Sequence, residues 1–209
     1  MIATPFAIPL TLPPPKQERS DGVHVSSIIR CIATEQGILK PEWAEEISLV
    51  DVREITDPVA VLRINIGLAW EAHYIPLVGD IIDHPGEMQV DGIYMTHDGE
   101  SVDVIITPKG QRHVLVIDEV KATYKSINTI GDMSSQWMWM AQCKAYCKGK
   151  GTRFARMHVL FLCGDYKYPI TPQLIGWNIE FTQEEIDMNW ELLRDYRDFK
   201  LGVPDGSAR

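Results

Sequence analysis

Glu119 and Lys121 stand two apart in the run Ile117-Asp118-Glu119-Val120-Lys121, whose apolar positions mark a strand. Side chains alternate along a strand, so Glu119 and Lys121 share one face while Asp118 and Val120 share the other. A carboxylate beside a lysine at a strand end can hold a divalent cation next to a fixed positive charge. The lysine can then position a water or stabilise charge developing at a phosphorus centre. Taken alone, such a pair is equally an ordinary ion pair on an exposed strand. Asp91 adds to it. This acid lies between Val90 and Gly92 in Met88–Met95, which reads as one strand. A carboxylate in an apolar setting needs a cation or a donor. If the chain folds back as a meander, Asp91 and Glu119 meet at one sheet edge. Two hard oxygen donors with open positions suit Mg2+ or Mn2+ rather than zinc.

Other groups can join them. Arg63, Gly67 and Glu71 are spaced four apart on an expected helix and form roughly one stripe. Gly67 costs about 1 kcal/mol relative to alanine inside a helix, which suggests a close backbone approach there. Gln142 and Tyr146 are neighbours on a later helix, preceded by Trp137, Met138, Trp139 and Met140, a stretch suited to core packing. From Lys144 to Arg156 the chain carries Lys144, Lys148, Lys150, Arg153 and Arg156 and no acid. That run is either a local face for a polyanion or a solvated helix end.

The elements that must position these residues follow from period and punctuation. Ser26 is a candidate N-cap for a helix ending near Gly37, and Asp57-Pro58 opens a second helix that ends before Pro76. Between them Glu42–Asp57 reads as acidic and irregular. Met88–Met95, Ser101–Thr107 and His113–Lys121 read as an antiparallel meander with turns at His97–Glu100 and Lys109–Gln111. A long helix is expected from Asp132 to Lys148, stopped by Gly149 and Gly151. Strands at Met157–Cys163 and Ile175–Phe181 follow. Thr182 and Glu185 form a capping box for a final helix. The fold class is α/β, a mixed central sheet flanked by helices.

With 209 residues, 45% hydrophobic and 23% charged, the chain has the balance of one soluble globular domain. We place that domain at 23–201, after an extended arm over 1–22 that holds five prolines and before a loose tail at 202–209. No apolar run approaches the length of a membrane span, and Met1–Leu12 makes a poor signal peptide, so the expectation is a cytoplasmic protein. Four cysteines are no disulfide framework. A net charge of −9 argues against coating nucleic acid by bulk electrostatics, but allows an acidic body with one local site for a polyanion.

In chain order, Gly67-x-x-x-Glu71, Val90-Asp91-Gly92, Ile117-Asp118-Glu119-Val120-Lys121 and Gln142-x-x-x-Tyr146 resemble the motifs of the PD-(D/E)XK nuclease superfamily. The similarity is to its RecB-like and lambda-exonuclease-like branch and covers roughly 26–163. It implies a restriction-endonuclease-like core and a Mg2+- or Mn2+-dependent deoxyribonuclease, phage-type and exonucleolytic on duplex ends. A structure-specific endonuclease and a catalytically silent nucleic-acid-binding protein are the alternatives. The resemblance makes Glu71, Asp91, Glu119 and the Val120 carbonyl metal ligands and Lys121 the residue acting on water. Gln142 and Tyr146 would line the DNA path, with Arg63, Lys148 and Lys150 as further substrate contacts. Val90 stands where the motif has proline. The spacing from Asp91 to Glu119 is long for the pattern, and Asp103 lies between them. Some relatives carry a four-cysteine iron–sulfur cluster, but the spacing of Cys31, Cys143, Cys147 and Cys163 does not fit one. DNA, as duplex ends or single strands, is the implied partner. A homo-oligomer and a single-strand annealing or replication protein are compatible with it.

Overall fold

The long alternating stretch after His97 forms the centre of the structure, a computed structural model that describes residues 20–40, 58–78, 80–83 and 85–202. In chain order the elements are β1 (Val23–His24), α1 (Val25–Glu35), α2 (Pro58–Tyr74), β2 (Ile82–Asp83), β3 (Met88–Val90), β4 (Ile93–Met95), β5 (Gly99–Thr107) and β6 (Gly110–Thr123). There follow α3 (Ile127–Ile130), α4 (Trp137–Lys150), β7 (Phe154–Phe161), β8 (Gln173–Glu180) and α5 (Gln183–Leu201). The arm through residue 19, the acidic segment up to residue 57 and the tail from 203 lie outside the described residues.

Five strands make a mixed sheet in the order β2-β5-β6-β7-β8. Only β6 and β7 run parallel, joined by the crossover through α4. β5 and β6 form one continuous hairpin from Gly99↔Asp118 to Thr107↔Gly110. The expected three-strand meander is therefore corrected. Met88–Met95 is not one strand but a tight hairpin, β3 and β4, which joins β1 in a separate three-stranded sheet. Its turn is Asp91-Gly92, both at positive φ (48° and 76°), as a two-residue type I′ connection demands.

Helices α1, α4 and α5 pack together against the sheet face that carries Ile117, Ala155, Met157, Val159 and Phe161. Helix α4 supplies Cys143, Ala145, Tyr146 and Cys147 to that core. Helix α2 contacts β6, and Tyr74 in its last turn reaches His158 of β7. The start of α1 is also corrected: its N-cap is His24, still extended as it leaves β1, so Ser26 falls inside the first turn. Gly151 ends α4 in the left-handed conformation. Gly149 does not stop the helix. A Cβ there would lie 2.6 Å from the Met88 sulfur and 3.0 Å from that of Met95, so the glycine lets α4 press on the β3–β4 hairpin. The capping box of α5 is present: Thr182 accepts from the Glu185 amide, and Glu185 accepts from the Thr182 amide at 2.8 Å. Among the described residues no helix is long and apolar enough to cross a membrane.

Candidate active site

Strand β6 carries the site because it is central: hydrogen-bonded on both edges, it holds its side chains in fixed alternation. Glu119 is 1% exposed and ion-paired with Lys121, whose side chain is partly exposed. On the opposite face Asp118 is fully buried, accepts from the Ser101 hydroxyl at 2.5 Å and pairs with His158 Nε2 at 2.8 Å. Beyond it, Tyr74 Oη meets His158 Nδ1 at 2.9 Å, which ties the end of α2 to the sheet one turn after Glu71. The expected division of this strand, Glu119 with Lys121 and Asp118 turned away, is the one observed.

Asp91 is not beside them. In its hairpin turn it is exposed, accepts from Trp190 Nε1 at 2.7 Å and offers its backbone carbonyl to Arg197. It thus fastens the hairpin to α5. Asp98, in the connection from β4 to β5, takes the place expected of Asp91: its Oδ2 accepts from the Val120 amide at 2.8 Å. Val120 links the two acids through its backbone. Next to Asp98, His97 is fully buried and bonds Glu100 at 2.7 Å, and Glu100 is ion-paired with Lys150. Gly99 is required here, because a Cβ would collide with the Ile81 side chain. The signal for Asp98 was another Asp-Gly pair, the third of the chain, at the head of a strand rather than at a hairpin tip. Asp103 is exposed and paired with Arg156 at 2.8 Å.

The electrostatics identify what the cluster lacks. Burial, then the charge of Asp98 and also that of Glu71, push the Glu119 carboxyl up to about 8 despite Lys121. Burial alone would lower Lys121, but Glu119 and Asp98 outweigh it and hold the ammonium protonated. Glu119 Oε2 is buried without any hydrogen-bond partner. Acids gathered in low dielectric with an orphaned oxygen fit a hard cation. Among the described residues no three His, Cys, Asp or Glu side chains form a metal-holding group by themselves. An ion here would take further oxygen from the backbone, water or a phosphate, the usual habit of Mg2+.

The α4 pair divides in two. Gln142 is partly exposed and donates through Nε2 to the Tyr146 hydroxyl at 2.6 Å. Tyr146 is only 3% exposed, and burial followed by the nearby Glu119 and Asp98 charges pushes its hydroxyl well up. Its expected place on the DNA path is therefore corrected: it lies behind Gln142 as a support. Gly67 is also corrected, since no described residue lies within 4 Å of where its Cβ would be.

The basic run is not a free face. Lys148 pairs with Asp187 at 2.7 Å, Lys150 with Glu100 and Arg153 with Glu180 at 3.1 Å. Arg156 pairs with Asp103, and Lys144 lies over the Phe181 ring at 5.4 Å. Lys148 and Lys150 thus hold α4 to α5 and to β5, so their charges are matched within the protein. Arg63 remains exposed, its guanidinium 5.8 Å from the Tyr124 ring centroid. Cys31, Cys143 and Cys147 are buried free thiols, and Cys163 is half-buried just past β7.

The fold is a mixed α/β sheet with an acid–lysine pair on its central strand and helices on both faces. Two solved structures share it. One is a phage-related exonuclease from Haemophilus somnus 129PT, with a TM-score of 0.52 and 13% identity over 86% of this chain and 93% of that one. The other is an alkaline exonuclease from Laribacter hongkongensis, with a TM-score of 0.52 and 16% identity over 88% and 90%. No family model and no curated protein matches the sequence. The fold of this chain is therefore one that both of these exonucleases have.

Proposed function

We propose that the protein is a divalent-metal-dependent deoxyribonuclease that hydrolyses phosphodiester bonds as an exonuclease at duplex DNA ends. One observation carries this reading: Glu119, a buried carboxylate with an unpartnered oxygen, raised by neighbouring acids and set beside a protonated lysine. The likeness in fold to two exonucleases supports the choice of reaction. Asp98, Glu119 and the Val120 carbonyl would hold Mg2+ or Mn2+, with Glu71 contributing from α2. Bound there, the ion supplies Lewis-acid polarisation of a phosphoryl oxygen and an activated water. Lys121 keeps its proton and presents positive charge where negative charge builds in the transition state. Gln142, tethered by Tyr146, meets the strand entering the site, and Arg63 adds phosphate contact from α2.

The test is incubation with linear and with covalently closed circular duplex, with Mg2+ and with EDTA. The expected result is loss of the linear form alone, and only with metal. Loss of both forms would make the protein an endonuclease. Loss of neither would make it a nucleic-acid-binding protein without activity.

A further inference from the structure

Strands β6 and β7 are parallel, so the segments leaving them emerge side by side at the end of the sheet beyond Lys121. They are laced together: Leu162 N donates to the Thr123 carbonyl at 2.9 Å and Ile127 N to that of Gly164 at 3.0 Å. The Tyr166 hydroxyl donates to the Tyr124 carbonyl. On these joined segments three tyrosine rings face solvent, Tyr124 at 40%, Tyr166 at 54% and Tyr168 at 96% exposure. Exposed aromatic rings cost hydration free energy, and here three are gathered on two segments that hydrogen bonds hold together. Tyr166 also keeps a positive φ of 65°, a conformation that non-glycine residues hold only where the surroundings impose it.

Cations flank the rings. Arg63 lies over Tyr124. Lys125 bonds the neutral Gln136 side chain and lies 5.4 Å from the Trp139 ring centroid, and Lys167 is 3.4 Å from Asp165. That is three cations against one acid, on a molecule whose net charge is −9. Helix α2 sets the distance. Glu71 is near Glu119, and Arg63, eight residues earlier, is over Tyr124. Along α2 these two positions are roughly 12 Å apart, at about 1.5 Å per helical residue, which sets the scale of separation between Tyr124 and the acids. That is roughly four nucleotides of a stacked strand at about 3.4 Å each.

We infer that Tyr124, Tyr166 and Tyr168, with Arg63, Lys125 and Lys167, form a stacking platform for single-stranded DNA. Flat rings accept any base face and the cations meet the phosphates, the combination by which single strands are bound without sequence preference. This rests on the nuclease reading for its place in the reaction: the platform engages a strand already separated from its complement. A protein partner would need a broader apolar surface than three hydroxyl-bearing rings among cations offer.

The experiment measures binding, without turnover, of a fluorescent 12-nucleotide single strand and of closed circular duplex in Ca2+. Tyr168→Ala is expected to weaken single-strand binding about 10-fold and to change duplex binding less than twofold. Tyr168→Leu, which keeps apolar area but lacks a ring face, should lose as much. Tyr168 is almost wholly exposed, so neither variant disturbs folding. Wild-type affinity in both variants, or an equal loss on duplex, overturns the platform. Cleavage is scored separately. A wild type that degrades linear duplex while the variants bind normally removes the platform and leaves the nuclease reading. A wild type that cleaves nothing while the variants lose single-strand affinity does the reverse.

Discussion

Asp98 and Asp91 both precede a glycine, yet one is bonded to the backbone of the strand that carries Glu119 and the other to α5. Asp98→Asn should therefore cut turnover by about 100-fold or more, the scale expected when a group acting on the transition state is lost. Asp91→Asn keeps an acceptor for Trp190 and should retain most activity. Single-turnover cleavage by the two variants decides it, and the opposite ranking would return the metal to Asp91. Glu119 gives a second prediction. Its raised carboxyl binds a proton more tightly in the folded than in the unfolded chain, so the metal-free protein should lose stability as pH rises from about 4.5 to about 8. Metal needs the deprotonated carboxylate. Mn2+ should accordingly raise Tm more at pH 9 than at pH 6, and an equal rise at both would mean that Glu119 is not a ligand.

At the scale of elements, α2 presents Arg63, Gly67 and Glu71 along one stripe, and no described residue lies within 4 Å of a Cβ added at the glycine. Gly67→Ala should stabilise the helix by about 1 kcal/mol, because no described neighbour opposes the added methyl. If the DNA strand runs along this stripe, the same change should raise KM several-fold with kcat little altered. A denaturant midpoint and a steady-state assay read the two effects separately. What the sequence made legible was local. The capping box of α5 is written in Thr182 and Glu185, the start of α2 in Pro58, and the two faces of β6 in strict alternation. The β3–β4 hairpin was written as plainly, in Asp91-Gly92. The apolar residues on both sides of it mimic one strand, and that reading set Asp91 beside Glu119, where the structure has Asp98. The partners of Lys148 and Lys150 lie 39 and 50 residues away in the chain and were beyond any local signal. Charge counted along the sequence therefore overstated the free positive face.

For the whole molecule, an acidic body with its central bases neutralised leaves few cations to meet a phosphate backbone. Removing one phosphate-binding cation should lower the log–log salt slope of duplex binding by about 0.9. Lys148→Gln should leave that slope unchanged, since its charge is matched by Asp187, while Arg63→Gln should lower it by that single increment. Binding measured across a salt series checks both, and a drop for Lys148 with none for Arg63 would restore the helix-end face. The architecture also fixes an order of assembly. β5 and β6 meet through a two-residue turn, so they pair locally, on the roughly 1–10 μs scale of hairpins. β7 must return across α4 before it can lie parallel to β6. Glu119 and Lys121 thus take their alternation early, on a strand with one edge still in water. Glu119 loses its hydration only when β7 and α4 dock, after the local hairpin and across a 38-residue separation from Met157 of β7. Mutations that relieve Glu119 should leave the folding rate nearly untouched and slow unfolding instead, which gives this site low φ-values.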